Sequence, residues 1–186
     1  TDGRDSPPDS GAGYIADIEA RASEIGVGKI ATVMGRFYAM DRDSRWERVQ
    51  KAYECMRFGK GNKAVSAAKA VTNNYENDVT DEFIEPVVIV GDDGHPVGRV
   101  TDGDGIIFFN FRADRAREIL AAFADPAFSA FDTGDRPDFA IVSGFTEYSR
   151  RHSTYMDCIF PDEQPVNTLS EWVAAHGLRQ FHIAET

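Results

Sequence analysis

Residues 106–123 read IIFFNFRADRAREILAAF, and the two halves follow different periods. Residues 106–109 form a continuous apolar run after Gly105, the pattern of a short strand buried on both faces. Ala116, Ile119, Leu120 and Phe123 then recur at i, i+3, i+4 and i+7, one stripe of an amphipathic helix. A strand feeding a helix in this way predicts an α/β domain. Between the two lie Asn110, Phe111, Arg112, Ala113, Asp114 and Arg115, at a strand's carboxyl end and a helix's N-terminus. In open α/β sheets ligands bind at such junctions, and helix N-termini favour anions. At 100° per residue Arg117 points away from the apolar stripe, toward solvent. Arg112 and Arg115, about one turn apart, can converge on one anion. The competing reading pairs these arginines with neighbouring carboxylates.

Outward from this stretch, helices alternate with strands. Tyr14, Ile15, Ile18, Ala22 and Ile25 mark a helix closed by Gly26 and Gly28. Residues 29–34 read as a buried strand, and residues 36–43 as a loop of aromatics and charges. Ser44 and Glu47 have the spacing of a capping box for a helix running to about Phe58. A weaker, alanine-rich helix spans 64–75. Residues 86–90 and 96–100 predict a hairpin around the turn 91–94. Further strands are expected at 139–142, 155–160 and 181–184, with a helix at 168–176. The alternation predicts a three-layer α/β/α domain with a mixed, largely parallel sheet. At 186 residues, one sizeable core is expected.

The balance of 20 basic against 31 acidic residues, net −11, argues against nucleic acid and anionic membrane surfaces as partners. A local arginine cluster can still dominate its own pocket, because salt screens charge over about 8 Å. No run approaches the roughly 18 apolar residues of a membrane span. Cys55 and Cys158 form neither a disulfide framework nor a zinc site, so a reducing cytoplasm is expected. Asp41-Arg42-Asp43 and Asp102-Gly103-Asp104 lack calcium-loop spacing, and no metal is expected on this chain. The four histidines, His95, His152, His176 and His182, are isolated from one another and read as structural. The chain opens on Thr1 and is expected to be a fragment of a longer protein.

Four segments combine arginine with aspartate or glycine at predicted loops and strand ends: Asp2-Gly3-Arg4-Asp5, Gly35-Arg36, Asp41-Arg42-Asp43, and 112–115. Arginine suits a planar, bidentate grip on carboxylate or phosphate. Arginines at successive strand ends can meet in one crevice, whereas Arg21, Arg48, Arg57 and Arg117 read as scattered along exposed helix faces.

TDGRDSPP, GYIADIEA, IATVMGRFYAMDRDSRWERVQKAY, TDEFIEPVVI, GIIFFNFRADRAREI and GLRQFHIAET stand in this order along essentially the whole chain. Together they resemble the cofactor-independent phosphoglycerate mutases, and specifically their inserted phosphotransferase, or substrate-binding, domain. The resemblance implies that residues 1–186 are one domain of a longer two-domain mutase of glycolysis and gluconeogenesis. Its partner would be a metal-binding, phosphatase-type domain of the same chain. That enzyme interconverts 3-phosphoglycerate and 2-phosphoglycerate through a serine and two divalent metals, usually Mn2+, on the larger domain. Carried over motif by motif, Arg4, Asp5, Arg36, Arg42, Arg112 and Arg115 are the implied substrate residues. Asp5 is the implied catalytic group, handling the glycerate hydroxyl proton. The nucleophilic serine, the metal ligands, a histidine before TDGRD and a lysine after IAET are not in this sequence, so the fragment alone is expected to be inactive. The alternative is a stand-alone, non-catalytic module that binds a phosphometabolite.

Overall fold

The computed structural model describes residues 1–161, 163 and 165–184. Six helices are described: α1 (Gly11–Ile25), α2 (Arg36–Ala39), α3 (Trp46–Phe58), α4 (Ala67–Tyr75), α5 (Arg117–Ala124) and α6 (Leu169–Ala175). The strands are β1 (Thr32–Val33), β2 (Asn62–Ala64), β3 (Val87–Ile89), β4 (Gly105–Phe108), β5 (Ile141–Gly144) and β6 (Asp157–Cys158).

The α/β class and the mixed, mostly parallel pairing match the sequence reading, but the strands form two sheets where one was expected. One sheet has the order β1-β3-β2, with β1 antiparallel and β2 parallel to β3. The other, β4-β5-β6, is parallel throughout. The expected hairpin after β3 shrinks to a single bridge, Val90 with Pro96. Proline has no N–H to extend a ladder. Val97 N–H still donates to the Ile89 carbonyl, but Val100 is taken up by the end of α3: its N–H donates to the Met56 carbonyl, and Arg57 Nη1 donates to the Val100 carbonyl at 2.8 Å. Residues 181–184, expected as a strand, form none.

Local chemistry explains where helices begin and end. Gly26 closes α1 in the left-handed region, φ 78°, with its N–H on the carbonyls of Ala22 and Ser23. Ser66 caps α4, and Thr168 with Glu171 makes a full capping box on α6. The box expected at Ser44 does not form. Ser44 has φ 59°, and the Asp41 carboxylate instead accepts the N–H groups of Asp43 and Arg45 ahead of α3. The expected loop at 36–43 begins with the short helix α2.

Three apolar clusters replace the single expected core. One joins α3 to α5 and β3 through Val49, Ala52, Tyr53, Val88, Ile119 and Phe123, with the Tyr53 and Phe123 rings 4.6 Å apart. A second packs α1 and α4 on the first sheet, and a third seats Leu120 of α5 on Tyr148 and Met156. The stripe Ala116, Ile119, Leu120 and Phe123 is buried as its spacing requires. Strand β4 is not buried on both faces. It lies at the edge of its sheet, and Ile107 is 63% and Phe109 77% exposed while Ile106 and Phe108 turn inward. Helix α3 thus ties the two sheets together, and the loops at its N-terminal end lie along their seam.

Candidate functional site: an arginine crevice at the seam

Gly35 starts the site. Its N–H donates to the Ile84 carbonyl at 2.8 Å, and a side chain there would meet the Glu82 carbonyl oxygen at 2.1 Å. Close backbone approach of this kind is open to glycine. It seats α2 against the turn Asp81–Phe83, and Gly3, with φ 73°, brings residues 2–5 against the same turn. Asp81, fully buried, locks the arrangement by accepting from Gly11 N–H and Tyr75 Oη. Burial and that neighbouring carboxylate push the Tyr75 phenol up to about 12.

Arg36, 6% exposed, is held by two carboxylates: Nη1 donates to Asp2 at 2.5 Å and to Asp5 at 2.9 Å. Burial opposes the Asp2 charge, but Arg36 and the N–H groups of Arg4 and Asp5 prevail and hold its carboxyl below the usual range. Asp5 itself stays open to solvent, with its carboxylate turned by Arg36.

Across the seam, Asp114 joins two more arginines. Its carboxylate accepts from Arg42 at 2.7 Å and Arg112 at 3.0 Å, which outweighs burial and holds its pKa below the usual range. Arg115 Nη1 donates to the Met40 carbonyl at 3.0 Å, while its Nε is sealed from solvent and has no acceptor. Burial, and the positive charges of Arg36, Arg42 and Arg112, depress the Arg115 pKa against the pull of Asp114.

These groups converge. A small crevice of about 110 Å3 is lined by six arginines, Arg4, Arg36, Arg42, Arg45, Arg48 and Arg115, against three carboxylates, Asp41, Asp43 and Glu82. Of the residues singled out in the sequence, Arg4, Arg36, Arg42 and Arg115 line it. Asp5 adjoins it through Arg36, and Arg112 stands behind Asp114 outside the lining.

Arg45 and Arg48 were missed. Arg48 does not lie on a scattered surface face: its guanidinium sits 3.6 Å above the Phe37 ring. The signal was the spacing of Arg42, Arg45 and Arg48, each three residues apart at a helix entrance. Arg57 is likewise engaged, donating to the carbonyls of Val100 and Asp135, and Arg117 Nε donates to the Tyr148 carbonyl at 2.6 Å.

The two largest of the described cavities have chemistry less telling than that of the crevice. One of about 710 Å3 is lined by Ile18, Ala22, Val65, Ile89 and neighbours and is largely apolar. One of about 540 Å3 shares Arg42 and Asp114, but its other arginines are engaged within the protein, Arg151 with Asp125 at 2.6 Å and Arg117 with the Tyr148 carbonyl.

Among the described residues no three His, Cys, Asp or Glu side chains are grouped to hold a metal. No described helix is long and apolar enough to cross a membrane.

The fold and the crevice define an α/β domain with a cluster of arginines lining one small crevice. Residues 1–150 match the family described as BPG-independent PGAM N-terminus, and the chain belongs to that family. Along its whole length it is 52% identical to a 2,3-bisphosphoglycerate-independent phosphoglycerate mutase of Paracoccus denitrificans, and 50% identical to one of Clostridium perfringens. It covers 35% of each of those proteins. A crystal structure of Leishmania mexicana phosphoglycerate mutase at low cobalt concentration superposes with a TM-score of 0.80 at 28% identity. That match covers 95% of this chain and 33% of the other. The chain therefore spans about a third of the length of the relatives it matches.

Proposed function

We propose that residues 1–186 are the substrate-binding, phosphotransferase domain of a cytoplasmic cofactor-independent phosphoglycerate mutase. The observation that carries this reading is Arg115, crowded by Arg36, Arg42 and Arg112 and still short of an acceptor at Nε. An anion entering the crevice would offset that crowding of positive charge. Phosphoglycerate brings a carboxylate and a phosphoryl group, and planar guanidinium forks suit both.

In this reading Arg4, Arg36, Arg42, Arg112 and Arg115 hold or support the glycerate while its two hydroxyls exchange places. Asp5, oriented by Arg36 and open to solvent, accepts the proton of the hydroxyl that attacks phosphorus and returns it to the one that leaves. Phosphoryl transfer depends chiefly on positioning and charge neutralisation, which arginines supply. The serine that carries the phosphoryl group belongs to the remaining two-thirds of the enzyme. So do two divalent metals, manganese in this proposal, which supply nucleophile activation and charge stabilisation there.

The test compares the 186-residue chain with a full-length mutase that contains it. The chain alone should neither isomerise nor hydrolyse 3-phosphoglycerate, with or without Mn2+. Calorimetry should give binding no tighter than roughly millimolar, because the cost of association is undiminished while half the contacts are missing. Full-length protein should turn over. Turnover by the pure fragment would misplace the chemistry, and submicromolar binding by it would favour a stand-alone phosphometabolite-binding module.

A further inference from the structure

Glu118 lies on the first turn of α5, behind the loop 41–45 that presents Arg42 to the crevice. Its Oε1 accepts the Ser44 N–H at 2.9 Å. Its Oε2 is sealed from solvent and meets no donor. The groups facing it do not favour a charge. Asp41 and Asp43 stand opposite on the loop. From α3 and the residue before it, Arg45 and Arg48 are directed at those aspartates. Arg42 is spent on Asp114, Arg117 on the Tyr148 carbonyl, and Arg151 on Asp125. His152, which lines the same cavity, is committed to Ser149 Oγ and the Arg117 carbonyl. Among the described residues no cation stands within ion-pair distance of Glu118.

We infer that Glu118 is a positioning residue: as a neutral acid it bridges Ser44 and Asp41, and so holds Arg42 in the crevice. This rests on the reading of the crevice as the glycerate site. The chemistry is a matter of one proton. A carboxylic acid can accept from Ser44 N–H through one oxygen and donate to the Asp41 carboxylate through the other, which gives the sealed Oε2 its partner. An ionised Glu118 cannot donate, and it repels Asp41 and Asp43. Burial, with Asp41 and Asp43, pushes its pKa up to about 7 against the opposing Ser44 N–H. The loop is therefore held below that pH and loosened above it.

The test uses full-length enzyme, wild type and Glu118→Gln, between pH 6 and 8.5. Glutamine keeps one acceptor and one donor in place and does not titrate. Wild-type kcat/KM should fall by about tenfold more than that of the variant across this range, as expected when one protonation state is competent. Ionisation of the substrate phosphate is common to both enzymes and cancels in the comparison. Hydrogen exchange of the 41–45 peptide, corrected for the intrinsic rate, should lose protection at high pH in the wild type and keep it in the variant. Asp41→Asn should flatten the exchange response as well, and it serves if Glu118→Gln fails to fold. Equal protection at both pH values in the wild type would overturn the role of Glu118 and leave the crevice reading intact. A loop that opens on schedule with no change in kcat/KM would instead remove Arg42 from the glycerate site, and the inference with it.

Discussion

The entrances to α2 and α5 each deliver an arginine to the same crevice, and they do so in opposite ways. Arg36 is buried, backed by the close approach at Gly35, and its charge is matched through Nη1 by Asp2 and Asp5. Arg115 leans on one carbonyl and leaves Nε without an acceptor among like charges. A guanidinium whose charge is matched by two carboxylates orients what is already there. One with no carboxylate within ion-pair distance among the described residues has charge left to offer an anion. The α2 entrance therefore reads as the frame of the site and the α5 entrance as its working surface.

The largest effect should come from breaking the frame. Gly35→Ala places a methyl 2.1 Å from the Glu82 carbonyl oxygen, and backbone lies on both sides of the clash. The φ of −75° suits any residue, so the obstacle is space alone. Urea unfolding should show a loss of about 4 kcal/mol, at the upper end for a single substitution. A loss under about 1 kcal/mol would mean that α2 can shift away from the turn at Asp81–Phe83 without consequence.

At the working surface the pattern should invert. Arg115→Ala in the full-length enzyme should lower kcat/KM by about 2 to 5 kcal/mol, the range for truncating one partner of a desolvated charged contact. Its unfolding free energy should change by less than about 1 kcal/mol, since it gives up one carbonyl contact and relieves repulsion among cations. Arg115→Lys should remain impaired in kcat/KM, because an ammonium lacks the planar fork. Equal damage to stability and turnover would erase the distinction between the two entrances.

How far the sequence discloses this arrangement depends on which residues are asked. The helix stripe of α5 was legible because four buried positions share one 3.6-residue period. The start of α6 was legible to within a residue, since Asn167 and Thr168 are both capping types, and the structure places the cap at Thr168. Strand β4 was misread for a physical reason: an all-apolar run carries no alternation, so nothing in it says that Ile107 and Phe109 face outward from an edge. The division into two sheets depends on long-range pairing around Pro96 and Arg57, to which local patterns are blind. At the site, arginines in short motifs could be found, but not which carboxylate would occupy each. Asp2 on Arg36 and Asp114 between Arg42 and Arg112 are tertiary facts. The pairing of Glu118 with Ser44 is another, spanning 74 residues.

The smallest effect tests the comparison from the other side of α5. Spacing alone sends Arg117 to solvent, two residues from Arg115, and predicts that its loss is silent. The structure gives it a task away from the crevice: Nε reaches the Tyr148 carbonyl at 2.6 Å, and its own carbonyl receives His152 Nε2 at 3.1 Å. Arg117→Ala would delete a hydrogen bond from a charged donor at a partly exposed site, worth about 1 kcal/mol of stability after discounting for solvent. The backbone bond to His152 would survive, because alanine keeps the carbonyl. The expected outcome is thus a small drop in unfolding free energy, with kcat/KM within about twofold of wild type. Urea titration and steady-state kinetics on the same preparation decide it. Should Arg117→Ala damage turnover as severely as Arg115→Ala while folding normally, summed positive charge near α5 would matter more than which guanidinium lacks a partner. The contrast between an arginine matched by carboxylates and one without them would then lose its force.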